Sequence, residues 1–322
     1  MRFTEDNSML KVGLIGVGGI SGAHIPAWLG LDGVELVALC DVRPEQMEKY
    51  PDIRHYTDFD EMLNNEELDI LDICLPTYLH ADYSIKAMEK GINVLCEKPI
   101  SLNRDDVKRV YDAAEKNNVK FMVAHVIRFW REYEFVKSVY ESGKYGKLLS
   151  GNMKRLSAFP AWSWDNWMFD EKRSGFVPYD LHIHDLDFLI YAFGAPKNTN
   201  SFRSKLPDQD YINVTYDFGD FFVNAESSWF ACGYPFTAQF RFQFEDAILS
   251  NEGQGLKIYE RGGNVVSLEE AATGDTGEIN LPKSGAYAEE IAYFKDCVVN
   301  NKPIEKVKPD ELETVIDILN NL

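Results

Sequence analysis

The sequence predicts an α/β protein in two parts: a doubly wound parallel sheet over residues 10–125, then an α+β domain on a mainly antiparallel sheet over residues 126–322. Three observations carry this. Apolar strand-like runs alternate with helix-like segments throughout the first part. A glycine turn, Gly16-Val17-Gly18-Gly19-Ile20-Ser21, stands between the first such strand and the first helix. From about Leu148 the apolar pattern changes to a period of two, as where Phe236, Ala238, Phe240, Phe242 and Phe244 alternate with polar neighbours.

Composition bounds the partners. The chain has 322 residues, enough for two domains, and is 45% hydrophobic and 26% charged, as soluble globular chains are. No run approaches the ~20 apolar residues of a membrane span. Residues 1–9 read as a mobile polar tail without the apolar stretch of a signal peptide. A formal charge of −19 argues against nucleic acid and anionic membrane as partners. The five cysteines include no Cys-x-x-Cys pair and fit free thiols in a reducing cytoplasm.

Leu10 to Ile15 is an apolar strand, the glycine turn follows at once, and a helix begins over Ala23 to Leu29. That context is what a dinucleotide fingerprint requires. Gly16 permits the tight turn, and Gly18 lets the backbone approach a pyrophosphate whose charge the helix N-terminus stabilises. Gly19 and Ile20 complete the turn, and Ser21 is small enough for close helix–strand packing. The second strand, from Val34 to Cys40, ends at Asp41, roughly 20 residues beyond Gly18, where an acid binds an adenosine ribose. A carboxylate there accepts from a free 2′-hydroxyl and repels a 2′-phosphate, which favours NAD, with NADP as the alternative. Arg43 weakens that preference, because an arginine beside the acid can pair with a phosphate. Asp41 also suits a helix N-cap.

Asp58 to Leu63 reads as a short helix and Leu68 to Leu75 as a buried strand. Pro76, Thr77 and His80 close that strand at the same sheet edge as Gly16 and Asp41, which makes them candidate cofactor contacts. His80 suits a structural role at the start of the helix Ala81 to Lys90 equally well. The strand Asn93 to Cys96 then delivers Glu97-Lys98-Pro99 to the edge where open parallel sheets bind ligands. Pro99 restricts Lys98 to extended conformations, a cis Lys98-Pro99 bond suits the turn, and Glu97 can orient the ammonium. A helix, Asp105 to Asn117, and a strand, Lys120 to Ala124, complete the parallel sheet.

In the second part His125 and Arg128 follow the last parallel strand as candidate substrate contacts, and Arg128 suits a loop clamp equally well. Glu132 to Ser142 is a helix, and Leu148 to Phe159 a long strand. Trp162, Trp164 and Trp167 then fall within one short stretch that holds half of the chain's 6 tryptophans. Indoles pack against the C–H faces of sugars, and Asp165 and Asn166 can bind hydroxyls. The same composition also suits a loop anchored by aromatic burial. Phe176 to Tyr191 reads as an amphipathic helix ending near Gly194. Asp180 and His184 then share one face, and a carboxylate holding an imidazole in one tautomer makes a general base. His182 and His184 do not face each other on a helix, so no metal site is expected. A β meander from Asp210, a hairpin over 256–268, and helices over Tyr287–Asn300 and Asp310–Leu322 finish the chain. Helices on one face of the sheet leave its other, partly polar face to solvent or to another subunit.

The glycine turn, Glu97-Lys98-Pro99 and Asp180-x-x-x-His184 stand here in the order and spacing of one family. From about Leu10 onward the chain resembles the Gfo/Idh/MocA oxidoreductases, the glucose–fructose oxidoreductase and inositol dehydrogenase group. The resemblance implies an N-terminal Rossmann domain, a C-terminal domain with a large open sheet, a nicotinamide cofactor, and a carbohydrate, polyol or inositol-like substrate. It matches Lys98, Asp180 and His184 to the family's catalytic lysine, aspartate and histidine. It implies a homo-oligomer, dimer or tetramer, paired through the open sheet. His182 stands where the family often has glycine, and would narrow the site or add a polar contact. Ser174-Gly175 stands where Gly-Gly is common.

On this reading a carbinol sits between Lys98 and His184. His184 takes the hydroxyl proton as hydride leaves the same carbon, Asp180 orients the imidazole, and Lys98 stabilises the developing alkoxide. Lys98 is the base instead if burial and cationic neighbours strip its charge. Two other readings stand beside it: glycoside cleavage with a bound, recycled NAD, which Trp162, Trp164 and Trp167 suit as well, and a non-catalytic dinucleotide sensor, against which intact Lys98, Asp180 and His184 count.

Overall fold

The computed structural model describes residues 9–253, 255–268 and 285–322. Of the tail expected over residues 1–9, all but Met9 lies outside the described residues. The first domain carries β1 (Leu10–Ile15), β2 (Val34–Cys40), β3 (Arg54–Tyr56), β4 (Ile70–Ile73), β5 (Asn93–Glu97) and β6 (Phe121–Ala124). They form one parallel sheet in the order β3-β2-β1-β4-β5-β6. Every residue of β4 and β6 is buried, because helices cover both faces of the sheet. The crossovers are α1 (Ser21–Leu29), α2 (Phe59–Asn65), α3 (His80–Met88) and α4 (Arg104–Asn117). Two of them start where a side chain can cap: Asp58 accepts from the Glu61 N–H at 2.8 Å, and Asn103 from the Asp105 N–H at 3.1 Å. The strand order reverses between β1 and β4, and this opens a crevice at their carboxyl ends.

A turn over Val126–Phe129 and α5 (Arg131–Ser142), ended by the left-handed Gly143, lead into the second domain. Its sheet holds β7 (Leu148–Ala158), β8 (Asn198–Leu206), β9 (Gln209–Asp217), β10 (Phe222–Phe230), β11 (Thr237–Phe244), β12 (Ala247–Asn251), β13 (Leu256–Glu260) and β14 (Val265–Leu268). The order is β14-β13-β12-β11-β7-β10-β9-β8. All pairs are antiparallel except β7 with β10, which run parallel from Ser150 beside Phe222 to Ala158 beside Phe230. The connection after β7 explains this. It passes through α6 (Glu171–Ser174), a π-helical turn (Pro178–His182) and α7 (Ile183–Phe193), and lays down β8 at the sheet edge. Two antiparallel reversals then bring β10 back beside β7 in the same direction. The expected alternation is present in β11: Phe240, Phe242 and Phe244 are buried, Arg241 and Gln243 exposed.

Residues 176–191 are not the single amphipathic helix that their pattern predicts. Phe176 is left-handed (φ 58°), the π-helical turn follows, and α7 is buried on nearly all sides. The cause is its position. It packs between the sheet, through Phe188 on Phe242, and the helices α5 and α9 (Pro309–Leu319). Its buried Asp185 and Asp187 are each paired with an arginine, Arg155 and Arg128, both at 2.6 Å. Both C-terminal helices reach back to the first domain: α8 (Ala286–Val299) packs on α1, and α9 on α4. Arg104 of α4 pairs with Glu313 and Asp317 of α9 at 2.9 and 2.8 Å. Among the described residues no helix is long and apolar enough to cross a membrane, and all five cysteines are free thiols.

Candidate active site

A cavity of about 1190 Å³ runs from the glycine turn of the first domain to the start of α7 in the second. Its floor at one end is the glycine turn. Gly16 has φ 91°, and a Cβ there would stand 2.5 Å from the Cys74 carbonyl oxygen, so only glycine fits. Gly18 is the opposite case. A Cβ there would meet nothing nearer than Arg43 Nη2 at 4.0 Å, which leaves the backbone open to a ligand such as a pyrophosphate. The Ser21 hydroxyl donates to the Gly18 carbonyl at 2.6 Å where α1 begins. Asp41, buried at the end of β2, accepts from the Val17 N–H at 2.8 Å through one oxygen. Its other oxygen accepts from the main chain and Nε of Arg43, at 2.8 and 3.3 Å. Gly19, Ile20, Pro76, Thr77 and Glu97 line the same cavity. An open backbone turn followed by a carboxylate at the next strand end fits a dinucleotide.

His80 is not part of that lining. It is buried beneath the edge, with Nδ1 2.7 Å from the Pro99 carbonyl and Nε2 2.6 Å from that of Leu75. Burial pushes its pKa down, against the opposing pull of the two carbonyls it faces. The residue joins the loop after β4 to the cis Lys98-Pro99 turn, which is a structural role and not the expected cofactor contact.

Lys98 reaches from the end of β5 into the second domain. Its Nζ donates to the main-chain carbonyl of Asp180 at 2.7 Å and lies 3.4 Å from Asp180 Oδ1. His184 lines the same cavity, and its Nδ1 is buried without a partner. Burial pushes the His184 pKa well below its usual value, and the charges of Lys98 and Arg155 push the same way. The expected Asp180–His184 pair does not form. A π-helical turn holds more residues per turn than an α-helix, so residue i+4 no longer stands over residue i. Asp180 faces Lys98 instead.

Three candidate substrate contacts, His182, Arg128 and His125, do not line the cavity. His182, expected beside the substrate, is fully buried, with Nδ1 3.0 Å from Ser227 Oγ and Nε2 2.7 Å from the Tyr216 hydroxyl. The turn that aims His184 into the cavity aims its i−2 neighbour into the sheet. Arg128 is the loop clamp of its two readings. It donates to both oxygens of Asp187 at 2.8 and 2.6 Å, to the Lys306 carbonyl at 2.7 Å and to Glu311. His125, also buried, lies 3.3 Å from Asp187, and burial pushes its pKa down to about 4. The turn after β6 folds these two side chains under α7, away from the cavity.

The tryptophans all line the cavity, but at different depths. Trp162 is 70% exposed, and Trp164 lies with its ring centroid 5.6 Å from the Arg43 guanidinium. Their loop is anchored by other rings: Phe159 meets Phe169 at 4.5 Å and Trp229 at 5.3 Å. A second tie crosses nearby, where Arg173 lies 4.6 Å from the Tyr78 ring and donates to its hydroxyl at 2.9 Å. Arg155 and Tyr287 also line the cavity, and neither was expected. Arg155 had a signal, a charged side chain at an inward position of a long alternating strand. Tyr287 had none, since nothing in the pattern of α8 says which turn meets the cavity.

Residues 10–125 match the family described as "Oxidoreductase family, NAD-binding Rossmann fold", and residues 133–249 match the "GFO/IDH/MocA C-terminal domain". The chain belongs to the Gfo/Idh/MocA oxidoreductases. Its first domain is that family's NAD-binding Rossmann domain. This Gfo/Idh/MocA chain is 32% identical over 188 residues to the D-apiose dehydrogenase of Paraburkholderia graminis, covering 57% of this chain and 50% of the relative. It is 26% identical over 199 residues to the inositol 2-dehydrogenase of Salmonella typhimurium, covering 59% and 56%. It thus spans about half the length of these curated relatives. Levoglucosan dehydrogenase, solved with NADH and levoglucosan, has the same fold, with a TM-score of 0.81 at 21% identity over 97% of this chain and 96% of the other.

Proposed function

We propose that this protein oxidises a hydroxyl-bearing carbon of a sugar, polyol or inositol-like substrate, with NAD as the partner dinucleotide. The observation that carries this reading is the meeting of Lys98 from one domain with Asp180 and His184 from the other, in the cavity that also holds the glycine turn. A bound nicotinamide supplies the hydride acceptor. His184, left neutral by burial and its cationic neighbours, takes the hydroxyl proton as the carbon loses hydride. Lys98 donates to the same oxygen and stabilises its alkoxide character. Asp180 acts on Lys98 and holds its ammonium at that place.

Asp41 supports NAD over NADP, because its carboxylate repels a 2′-phosphate. Arg43 donates to that carboxylate and moderates the repulsion. The relatives named for D-apiose and inositol support the substrate class. The outward face of the second sheet exposes Phe202, Leu206, Phe222 and Tyr259 among polar side chains, which supports pairing of two or more copies there. A monomer mass by light scattering at micromolar concentration would refute that pairing.

The test of function follows nicotinamide absorbance with NAD and NADP separately, against inositols, aldoses, sugar acids and polyols. Reduction of NAD by one of them is expected. Tight dinucleotide binding with no reduction by any member of the panel would sink the dehydrogenase reading in favour of glycoside cleavage or sensing.

A further inference from the structure

His24 stands in the first turns of α1, just after the glycine turn, and is fully buried. Its Nδ1 lies 2.8 Å from Asp72 Oδ2 on β4, and its Nε2 lies 3.0 Å from Glu97 Oε1 on β5. A neutral imidazole carries a single N–H. Between two buried carboxylates it would set a nitrogen lone pair against an anionic oxygen, with no water to separate them. A doubly protonated ring donates to both. The line of hydrogen bonds continues at each end. Trp28 Nε1 donates to the same Asp72 oxygen at 2.7 Å, and Glu97 Oε2 accepts the main-chain N–H of Lys98 at 2.9 Å. Indole, carboxylate, imidazole, carboxylate and the Lys98 backbone thus run in one buried row from α1 to the end of β5.

We propose that His24 is a positioning residue: a buried imidazolium that fixes Glu97 and, through it, sets Lys98 relative to the glycine turn. This rests on Lys98 being catalytic. The helix that holds His24 is the one that begins at the dinucleotide turn, so the row ties that helix to the Lys98 backbone.

The groups that face His24 are Asp72 of β4, Cys74 just after it, Glu97 of β5, and Tyr287 and Glu290 of α8. The Tyr287 ring centroid lies 5.6 Å away. Burial alone would push the His24 pKa down, but the net displacement is well upward, with Asp72 foremost among the groups that oppose burial. Burial pushes the Cys74 thiol up to about 12 and Glu290 well above the carboxylate range, so neither adds charge near neutral pH. Both Glu290 oxygens are buried without partners, as befits a neutral acid. His24, Asp72 and Cys74 also bring ligand-type atoms within 4.8 Å of one another. With both ring nitrogens donating, however, His24 has no lone pair left for an ion.

The first test is ¹⁵N-histidine NMR of the wild-type protein, with His24 assigned through its contact to the Tyr287 ring. Both ring nitrogens are expected to remain protonated at about pH 8, where an ordinary histidine is neutral. A neutral His24 at that pH overturns the inference. The second test is kinetic. His24→Gln is expected to lower kcat by ~10- to 100-fold through misplacement of Lys98, with the dissociation constant for NAD nearly unchanged. The double variant His24→Gln/Glu97→Gln is expected to be no slower than the worse single one, because both break one row. A folded His24→Gln with full kcat overturns the inference even if Lys98→Ala is inactive. Full turnover in Lys98→Ala overturns the proposed function, whatever the protonation of His24.

Discussion

The guanidinium of Arg43 lies 5.6 Å from the ring centroid of Trp164, and this contact joins the two domains across the cavity at its Asp41 end. On the proposed reading, in which Asp41 binds the adenosine ribose, Trp164 flanks the adenosine end of the dinucleotide. An exposed cation–π pair contributes ~0.5–1 kcal/mol, or about a two- to fivefold change in an equilibrium constant. Trp164→Ala is expected to raise the dissociation constant for NAD by about that factor and to leave the KM of the hydroxyl substrate alone. Calorimetry and steady-state kinetics on one preparation separate the two. A raised KM with unchanged NAD binding would return Trp164 to the substrate.

Lys98→Ala and His184→Ala are each expected to lower turnover by ~10²-fold or more while NAD still binds. The acid limb of kcat/KM carries a further expectation. His184 must be neutral to accept a proton, and its pKa lies well below the usual histidine value. Activity should therefore hold as pH falls through the ordinary histidine range and fail only below it. An acid limb centred at or above ~6.5 would assign the base to another group.

His182 makes stability depend on pH. Burial pushes its pKa down to about 3, whereas an unfolded histidine titrates near ~6.5. Between those values the unfolded chain binds the extra proton and the folded chain does not, so stability is present above the unfolded pKa and is lost as pH falls. The loss from this residue approaches about 1.4 kcal/mol per pH unit. Urea midpoints of the wild type should drop between pH 6.5 and 5 more steeply than those of His182→Gln, which has no ring to titrate. Equal slopes would show that His182 does not carry the effect.

The first domain was legible because its signals are local. The runs ending at Asp41, Cys74 and Lys98 announce strands, and the glycine turn announces where the chain reverses. What could not be read lies in pairings across the sheet. His24 meets Asp72 and Glu97 only because α1 crosses β4 and β5, and nothing near His24 in the chain encodes those partners. The Asp180–His184 spacing misled for a related reason. One widened turn leaves no trace in composition, yet it moves the aspartate from the imidazole to the lysine. Arg128 had two readings of equal merit, and only the burial of Asp187 beside it decided between them.

The packing of α8 on α1 and of α9 on α4 has a consequence for biosynthesis. As the chain leaves the ribosome, all six strands of the first sheet are present once residue 124 has emerged. The faces of α1 and α4 that α8 and α9 cover stay open until residues 286–319 follow. For about half of its synthesis the nascent chain thus displays a partly covered domain, a surface suited to chaperone capture and prone to premature association.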